Sequence, residues 1–511
     1  MAALRSNLRQ MGLAALLVLM LFSTQALALG PRDTSLTGAM GSATVDGEQY
    51  YRITMRPEIP VGNWGVALDI ELFITPDGGI SSRGWQFGSA TRAVDSFLRK
   101  IYYVRYGHPR DPLYVRVGAL DDVTLGYGLI MDGYSNAMEY PGVKKTGVVL
   151  NMENVAGSGL NLQGMINHVQ DFQAGGALVG LRAWRRAVGR IELGATGVID
   201  LNQYSGVDEV VYHDPTRDMP ESLIQQLREL SEEYPDDPRF EELLTRREIF
   251  NRDKVDAHRF GMVGLDAAYP LINGRRLSLR LYGQWAMLLD DSPTLTEREA
   301  DSLGVAPGIT KAEGWGIGAP GLWWEMGSIR AQLEFRHFVD DFNSGYFDRM
   351  YELDRARLDR STGRIRTKSA TLTHPDRART QSGVYGKLTG ELWGLLRTTG
   401  SYQYLTGGDD PNQQLTAEVR VTDRILRDIP RLDDARAYYR KTNIGIGLSQ
   451  DGTDTDGFFE PTEDTYYGYA VQMRMVGDLA IVWDTRYVFD RDAEQQRQRR
   501  RNLSIETVFR F

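Results

Sequence analysis

Cysteine is absent from all 511 residues. That excludes a disulfide scaffold and any thiolate metal site, and it suits an oxidising compartment. Histidine is nearly as scarce: the six (His108, His168, His213, His258, His337 and His374) never fall at a metal-ligand spacing. There is no basic excess, and a net charge of −9 gives no footprint for nucleic acid. Beyond the N-terminus no apolar run reaches the roughly 18 residues that a spanning helix needs. No G-x-S-x-G nucleophile elbow occurs. In "DGTDTDG" (451–457) Gly452 stands where a calcium loop wants its first acid, so the stretch reads as acidic surface loop. His213-Asp214 is a single adjacent pair and defines no catalytic constellation. The sequence therefore points to no reaction, no metal and no cofactor.

What is present begins with Arg5 and Arg9 before "MGLAALLVLMLF", followed by Ser23-Thr24-Gln25 and then Ala26-Leu27-Ala28. A charged n-region, an apolar core and an A-x-A exit form a secretory signal peptide, expected over 1–28 with cleavage after Ala28. Residues 29–511 are then one exported domain.

Along that domain the hydrophobic period is two. In "VALDIELFI" (66–74), Val66, Leu68, Ile70, Leu72 and Ile74 share one face, and Asp69 and Glu71 take the other. "LSLRLYGQW" (277–285), "IRAQLEFR" (329–336), "LTAEVRV" (415–421) and "YYGYAVQMRM" (466–475) repeat the alternation. A β-sandwich alternates too, so the connections must decide. Short joints near 59–63, 108–112, 153–159, 187–189, 273–274, 327–328, 390–394, 424–434 and 477–478 alternate with long or polar ones at 75–99, 121–142, 204–257, 290–313, 339–380, 406–411, 448–463 and 491–501, and with a tighter one at 170–175. Short turns on one side and long loops on the other predict an all-β transmembrane antiparallel barrel of about 18–20 strands, with short periplasmic turns and long extracellular loops. Tryptophans near the short turns (Trp64, Trp184, Trp323, Trp324, Trp393) and nearer the long loops (Trp285, Trp315) are expected in two interfacial belts.

The chain closes on "NLSIETVFRF", with Ile505, Thr507, Phe509 and Phe511 on one face. A terminal Phe with another Phe two places earlier resembles the C-terminal assembly signal of outer-membrane β-barrel proteins, Thr507 being a weaker apolar match. The resemblance is architectural, spans the mature chain and selects no particular porin family. It implies the outer membrane of a Gram-negative-type bacterium, the lipid bilayer around the wall, and recognition by the barrel-assembly machinery.

In a barrel of this width the inward charges must meet water or each other. The expected pore-lining set is Asp69, Glu71, Arg116, Arg280, Arg330, Glu334, Arg336, Glu418, Arg420, Arg474, Asp484 and Arg486. Loop 121–145 is rich in Gly and Tyr yet carries Leu125, Leu129, Ile130, Met131 and Met138. It either folds back to narrow the lumen, with Asp132, Tyr134 and Glu139 toward the water path, or packs at the rim, or continues the flanking strands. Residues 205–257 read as a helical extracellular insertion, one helix starting after Pro220 and a second at Asp237-Pro238. The expected function is a porin-like channel for passive diffusion of small hydrophilic solutes. The alternative is a non-conducting barrel acting in surface attachment or envelope assembly. Neither solute nor oligomeric state is legible.

Overall fold

The computed structural model describes residues 35–510 except 46–47, 69, 76–78, 82–100, 110, 121, 139–144, 214–215, 217–218, 220, 235–238, 240–242, 246, 275, 292–294, 307–310, 360–362, 374–379, 408–411, 445–457, 463–464, 477–478 and 492–496. The expected leader 1–28, Asp69, Glu139 and the terminal Phe511 lie outside the described residues.

Antiparallel pairing passes from strand to strand and returns to its start. Ser35–Val45 pairs with Glu48–Val61 on one side and with Arg497–Arg510 on the other, setting Thr37 opposite Arg510 and Gly41 opposite Glu506. Among the described residues, twenty-two segments share this sheet. They occupy twenty positions around the ring, because Trp64–Leu68 and Ile70–Ile74 both pair with Glu48–Val61, and Ile80–Ser81 and Ile101–Tyr106 follow on their far side. Closure gives both the first and the last strand a partner on each side, as a sheet crossing hydrocarbon requires. The even count agrees with the expected 18–20.

Short turns alternate with long loops around the ring. Gly189 and Gly327, at φ 56° and 62°, supply left-handed conformations at two of the short turns. On the strands, burial alternates with side-chain parity. Leu265 and Leu333 are each 59% exposed, and Leu181, Leu193 and Phe335 are exposed as well. Their strand neighbours Gln332, Glu334 and Arg336 are buried. A wall that turns leucine outward is built for hydrocarbon rather than water. No helix among the described residues is long and apolar enough to cross a membrane.

Two corrections concern the elements around this wall. Residues 205–257 are only partly helical: Glu221–Glu233 forms a helix, but Val210–His213 pairs with Arg247–Asn251 as a hairpin. The second expected helix, from Asp237, falls largely outside the described residues. Phe250 of the hairpin packs with Tyr204, Ala300, Val305, Ala356 and Ile365, so three long loops share an apolar cluster of their own. The tryptophan belts are also incomplete. Trp184 and Trp323 share the inward parity of Arg182 and Gln332; Arg182 lies 4.7 Å above the Trp184 ring, and Trp323 meets Tyr127 at 5.9 Å.

Candidate functional site

Two loops enter the ring. The first, 119–138, forms the short strands Val123–Leu125 and Met131–Tyr134, and the second, 341–372, adds Phe347–Asp348 parallel to Met131-Asp132. Leu120, Leu125, Leu129, Ile130 and Met131 of the first loop join Phe342, Tyr346, Phe347 and Tyr351 of the second. They pack on inward wall residues Val198, Phe260, Met262, Ala286, Leu288, Phe338 and Leu405. The inner wall is thus apolar where the loops rest on it. Sequence periodicity missed this, because alternation assigns one character to a whole face.

Glycines mark the contacts. A Cβ on Gly180 would stand 3.0 Å from Leu125, one on Gly264 3.0 Å from Ile130, and one on Gly316 2.3 Å from the Phe342 ring. Any larger side chain at these inward positions competes with the loop for the same space.

A buried polar hub fastens the two loops together. Glu352 accepts hydrogen bonds from Lys145 Nζ at 2.8 Å, from Asn167 Nδ2 at 3.0 Å and from the Tyr134 hydroxyl. Arg355 lies 3.9 Å away and forks its Nε and Nη2 onto Asp200, 2.6 Å each, with the Tyr351 hydroxyl on the same carboxylate. Burial pushes the Glu352 carboxyl up, but Lys145 and Arg355 outweigh it and hold it at about 2. Burial and the adjacent Glu352 charge raise the Tyr134 hydroxyl, so it remains a donor. Tyr134, expected toward the water path, is instead an anchor inside the protein.

His258 adds a third fastening. Its Nε2 faces Ser369 Oγ at 3.0 Å and Asp290 Oδ1 at 3.7 Å, all buried. A nucleophilic triad needs hydroxyl and carboxylate on opposite ring nitrogens. Here both sit on one, so the set holds loop 341–372 against the wall.

The inner wall then divides into two characters. On one side Gln332 donates to the Tyr127 carbonyl at 3.0 Å and to the Tyr282 hydroxyl at 2.7 Å, and Tyr127 stacks on Tyr282 at 4.0 Å. Gln284 donates to Glu334 at 2.6 Å; Arg336 donates to Glu334, Ser344 and Gln403 and lies over the Tyr385 ring. The Glu334 and Arg336 side chains are 0% and 4% exposed, covered by the loops rather than facing open water.

The opposite side is wet. Glu418 and Arg436 are each 39% exposed and Arg486 34%, on inward positions that pair across neighbouring strands. Arg420 forks onto Asp434 at 2.8 Å, Arg436 and Arg486 share Asp484, and Tyr438 stacks on Tyr466 at 5.2 Å. The loops face this wall with charge of both signs: Arg349 approaches Glu418 at 3.6 Å, Arg440 reaches Asp348, and Lys387 pairs with Asp132 at 2.6 Å.

The remaining expected residues are dispersed. Arg280 lies 3.8 Å from Glu192, Arg330 pairs with Glu325 at 2.7 Å, and Arg474 with Asp433 at 2.5 Å. Arg116 lies over Tyr103 at 4.4 Å. Glu71 is paired in the strand register opposite Thr54. Ile505, Thr507 and Phe509 occupy register positions opposite Trp483, Ile481 and Leu479 on the closing strand. Among the described residues no cluster of His, Asp and Glu is arranged to hold a metal.

A closed antiparallel ring with aliphatic side chains outside and polar or packed side chains within is the architecture of an outer-membrane β-barrel. No family model matches the chain, and no curated protein matches it. Among solved structures the chain is similar to OccK5 (OpdH) of Pseudomonas aeruginosa, at 11% identity and TM-score 0.32, covering 94% of this chain and 98% of that one. It is similar to the outer membrane protein OprD of the same organism, at 8% identity and TM-score 0.31, covering 94% of each. It is also similar to the FrpB iron transporter from Neisseria meningitidis, at 8% identity and TM-score 0.32, covering 94% and 82%. At these values the fold assignment rests on the strand pairing itself.

Proposed function

We propose that the chain is a porin-like channel whose water path runs off-centre, between the infolded loops and the wall formed by residues 396–491. Small hydrophilic solutes diffuse along it without reaction or cofactor. The observation that supports this most is the contrast in exposure across the ring. Inward charges at 418, 436 and 486 meet solvent, and those at 334 and 336 do not. Residues 119–138 act as the constriction, with Asp132 on the wet side. Carboxylates and guanidiniums facing one another across a narrow wet gap create a transverse field that orients polar solutes and sets ion preference.

Planar-bilayer recording tests the reading. Purified folded protein gives stepwise conductance in salt, and deletion of 125–138 enlarges the step. A silent membrane with demonstrably folded protein favours the non-conducting alternative. An unchanged step after the deletion removes the loop from the constriction.

A further inference from the structure

Four strands of the wet wall carry their inward side chains in level rows. The register sets Glu418, Tyr438, Gly468 and Arg486 in one row. It sets Arg420, Arg436, Ala470 and Asp484 in the next, and Arg440 beside Tyr466 in the row on the other side. Rows are two residues apart, so about 7 Å separates one from the next, close to the width of a sugar ring. In the middle of the first row Gly468 presents no side chain. A Cβ there would stand 2.4 Å from the Tyr438 hydroxyl, so the glycine leaves room for that ring to lie over the neighbouring strand and stack on Tyr466 at 5.2 Å. Both rings are half-buried, and their hydroxyls meet at 3.3 Å.

The charges around this aromatic step are paired with one another. Arg420 forks Nε and Nη2 onto Asp434, 2.8 Å each, and Arg486 forks the same two nitrogens onto Asp484, 3.2 Å each. Arg436 reaches the second carboxylate at 3.5 Å, and Arg349 of the infolded loop meets Glu418 at 3.6 Å. A solute of single charge has to displace a partner already in place, whichever sign it carries. The hydrogen-bonding capacity of the pairs is not exhausted, however. A fork uses two of the guanidinium's N–H groups and about half of the carboxylate's lone pairs, which leaves donors beside acceptors. Side-chain exposures of 49% for Arg420 and 34% for Arg486 put that remainder in contact with water. A hydroxyl both donates and accepts, so neighbouring hydroxyls of a sugar can take a donor and an acceptor from one pair. The C–H face of the same ring then covers an aromatic surface.

We propose that this stretch of wall, Tyr438 and Tyr466 beside the Arg420–Asp434 and Arg486–Asp484 forks, is a binding subsite for neutral sugars. It rests on the channel reading above and names the class of solute that the channel favours. The tyrosine step packs on the apolar face of the sugar ring, and the two forks take its hydroxyls.

Single-channel recording of the full-length protein with maltotriose in the bath tests this. Maltotriose should interrupt the current reversibly, with an occupancy that saturates as its concentration rises. Polyethylene glycol of the same hydrodynamic radius should lower the conductance in proportion to its concentration, without saturating. Maltotrionate and an amine-terminated maltotriose, alike in size but charged, should interrupt the current no more than the neutral sugar does. Tyr438→Leu keeps apolar bulk, loses the ring face and should weaken the maltotriose block about three- to ten-fold. Asp484→Asn, which breaks one fork, should weaken it about ten-fold or more. Should either variant fail to fold, the wild-type contrast between maltotriose and polyethylene glycol still decides the matter. Channels that conduct but answer maltotriose and polyethylene glycol alike, or an unchanged block in the folded variants, overturn the sugar subsite and leave the channel reading standing. Tighter block by either charged analogue overturns it as well, and reassigns this wall to an ion. A silent membrane with folded protein removes the channel reading and the subsite together.

Discussion

Replacing Glu352 with Gln keeps the shape of the hub and removes its charge. The carboxylate is buried, with Lys145 Nζ at 2.8 Å, Asn167 at 3.0 Å and Tyr134 bonded to it. Removing one partner from a buried ion pair costs about 3–5 kcal/mol, because the other charge loses its counter-charge and stays buried. Here that charge is the Lys145 ammonium, which is nearly as buried. Glu352 belongs to loop 341–372, and Tyr134 to loop 119–138, so the loss falls on the contact between the two loops rather than on the wall. At 1.4 kcal/mol per factor of ten, even the lower figure multiplies the population with loosened loops on the order of a hundred-fold. In single-channel recordings Glu352→Gln should show frequent excursions to larger conductance that wild type shows rarely. Adding Lys145→Met removes the cation whose counter-charge was taken away and should restore part of the quiet trace. Traces from folded Glu352→Gln that match wild type in step size and excursion frequency would show that the hub does not hold the loops in place.

The same hub carries a pH dependence. Its carboxyl is held at about 2, below its ordinary value, so the stabilisation is complete above about pH 4.5 and fades as pH falls toward 2. Large-conductance excursions should therefore appear between pH 4 and 2 in wild type, and Glu352→Gln should show them already at pH 6. The two walls should answer charge removal differently: Arg436→Gln moves the reversal potential toward cation preference, whereas Arg336→Gln leaves the potential in place and lowers the melting temperature, which salt-gradient recordings and thermal unfolding in detergent will check. Gly316→Val drives a side chain into the Phe342 ring and should cost at least about 1–3 kcal/mol of stability. Gly197→Val, whose added Cβ would meet Val263 only at 3.9 Å, should be nearly neutral in the same unfolding assay.

Much of the wall was legible because it obeys one local rule. Leu277, Leu279, Leu281 and Trp285 oppose Ser278, Arg280, Tyr282 and Gln284, and that parity persists through the register of the strand. Two residues further the rule fails: Ala286 and Leu288 face inward although apolar, because Phe347 and its neighbours in the second loop cover them. A period of two carries no information about a partner sixty residues away. The hub was hidden for the same reason. Lys145 and Glu352 are 207 positions apart and Asp200 and Arg355 are 155 apart, so neither pair has a spacing that a motif could hold. Trp184 and Trp323 misled in another way. Their nearness to short turns fits an interfacial belt, yet strand parity puts both inside, where Arg182 and Tyr127 meet them. The hairpin at 210–251 was concealed by the helical spacing of Leu223, Leu227 and Leu230 between its two short strands.

Site-directed labelling distinguishes lipid face, sealed wall and wet wall in one protein, and a chain without cysteine is its own background. Single cysteines placed by Leu333→Cys, Gln332→Cys and Arg436→Cys, in protein reconstituted in liposomes, sample lipid face, sealed wall and wet wall. A membrane-impermeant thiol reagent should label position 436 quickly and 332 slowly, and a lipid-dissolved quencher should reach a fluorophore at 333 alone. Rapid aqueous labelling at 333, or equal rates at 332 and 436, would contradict it.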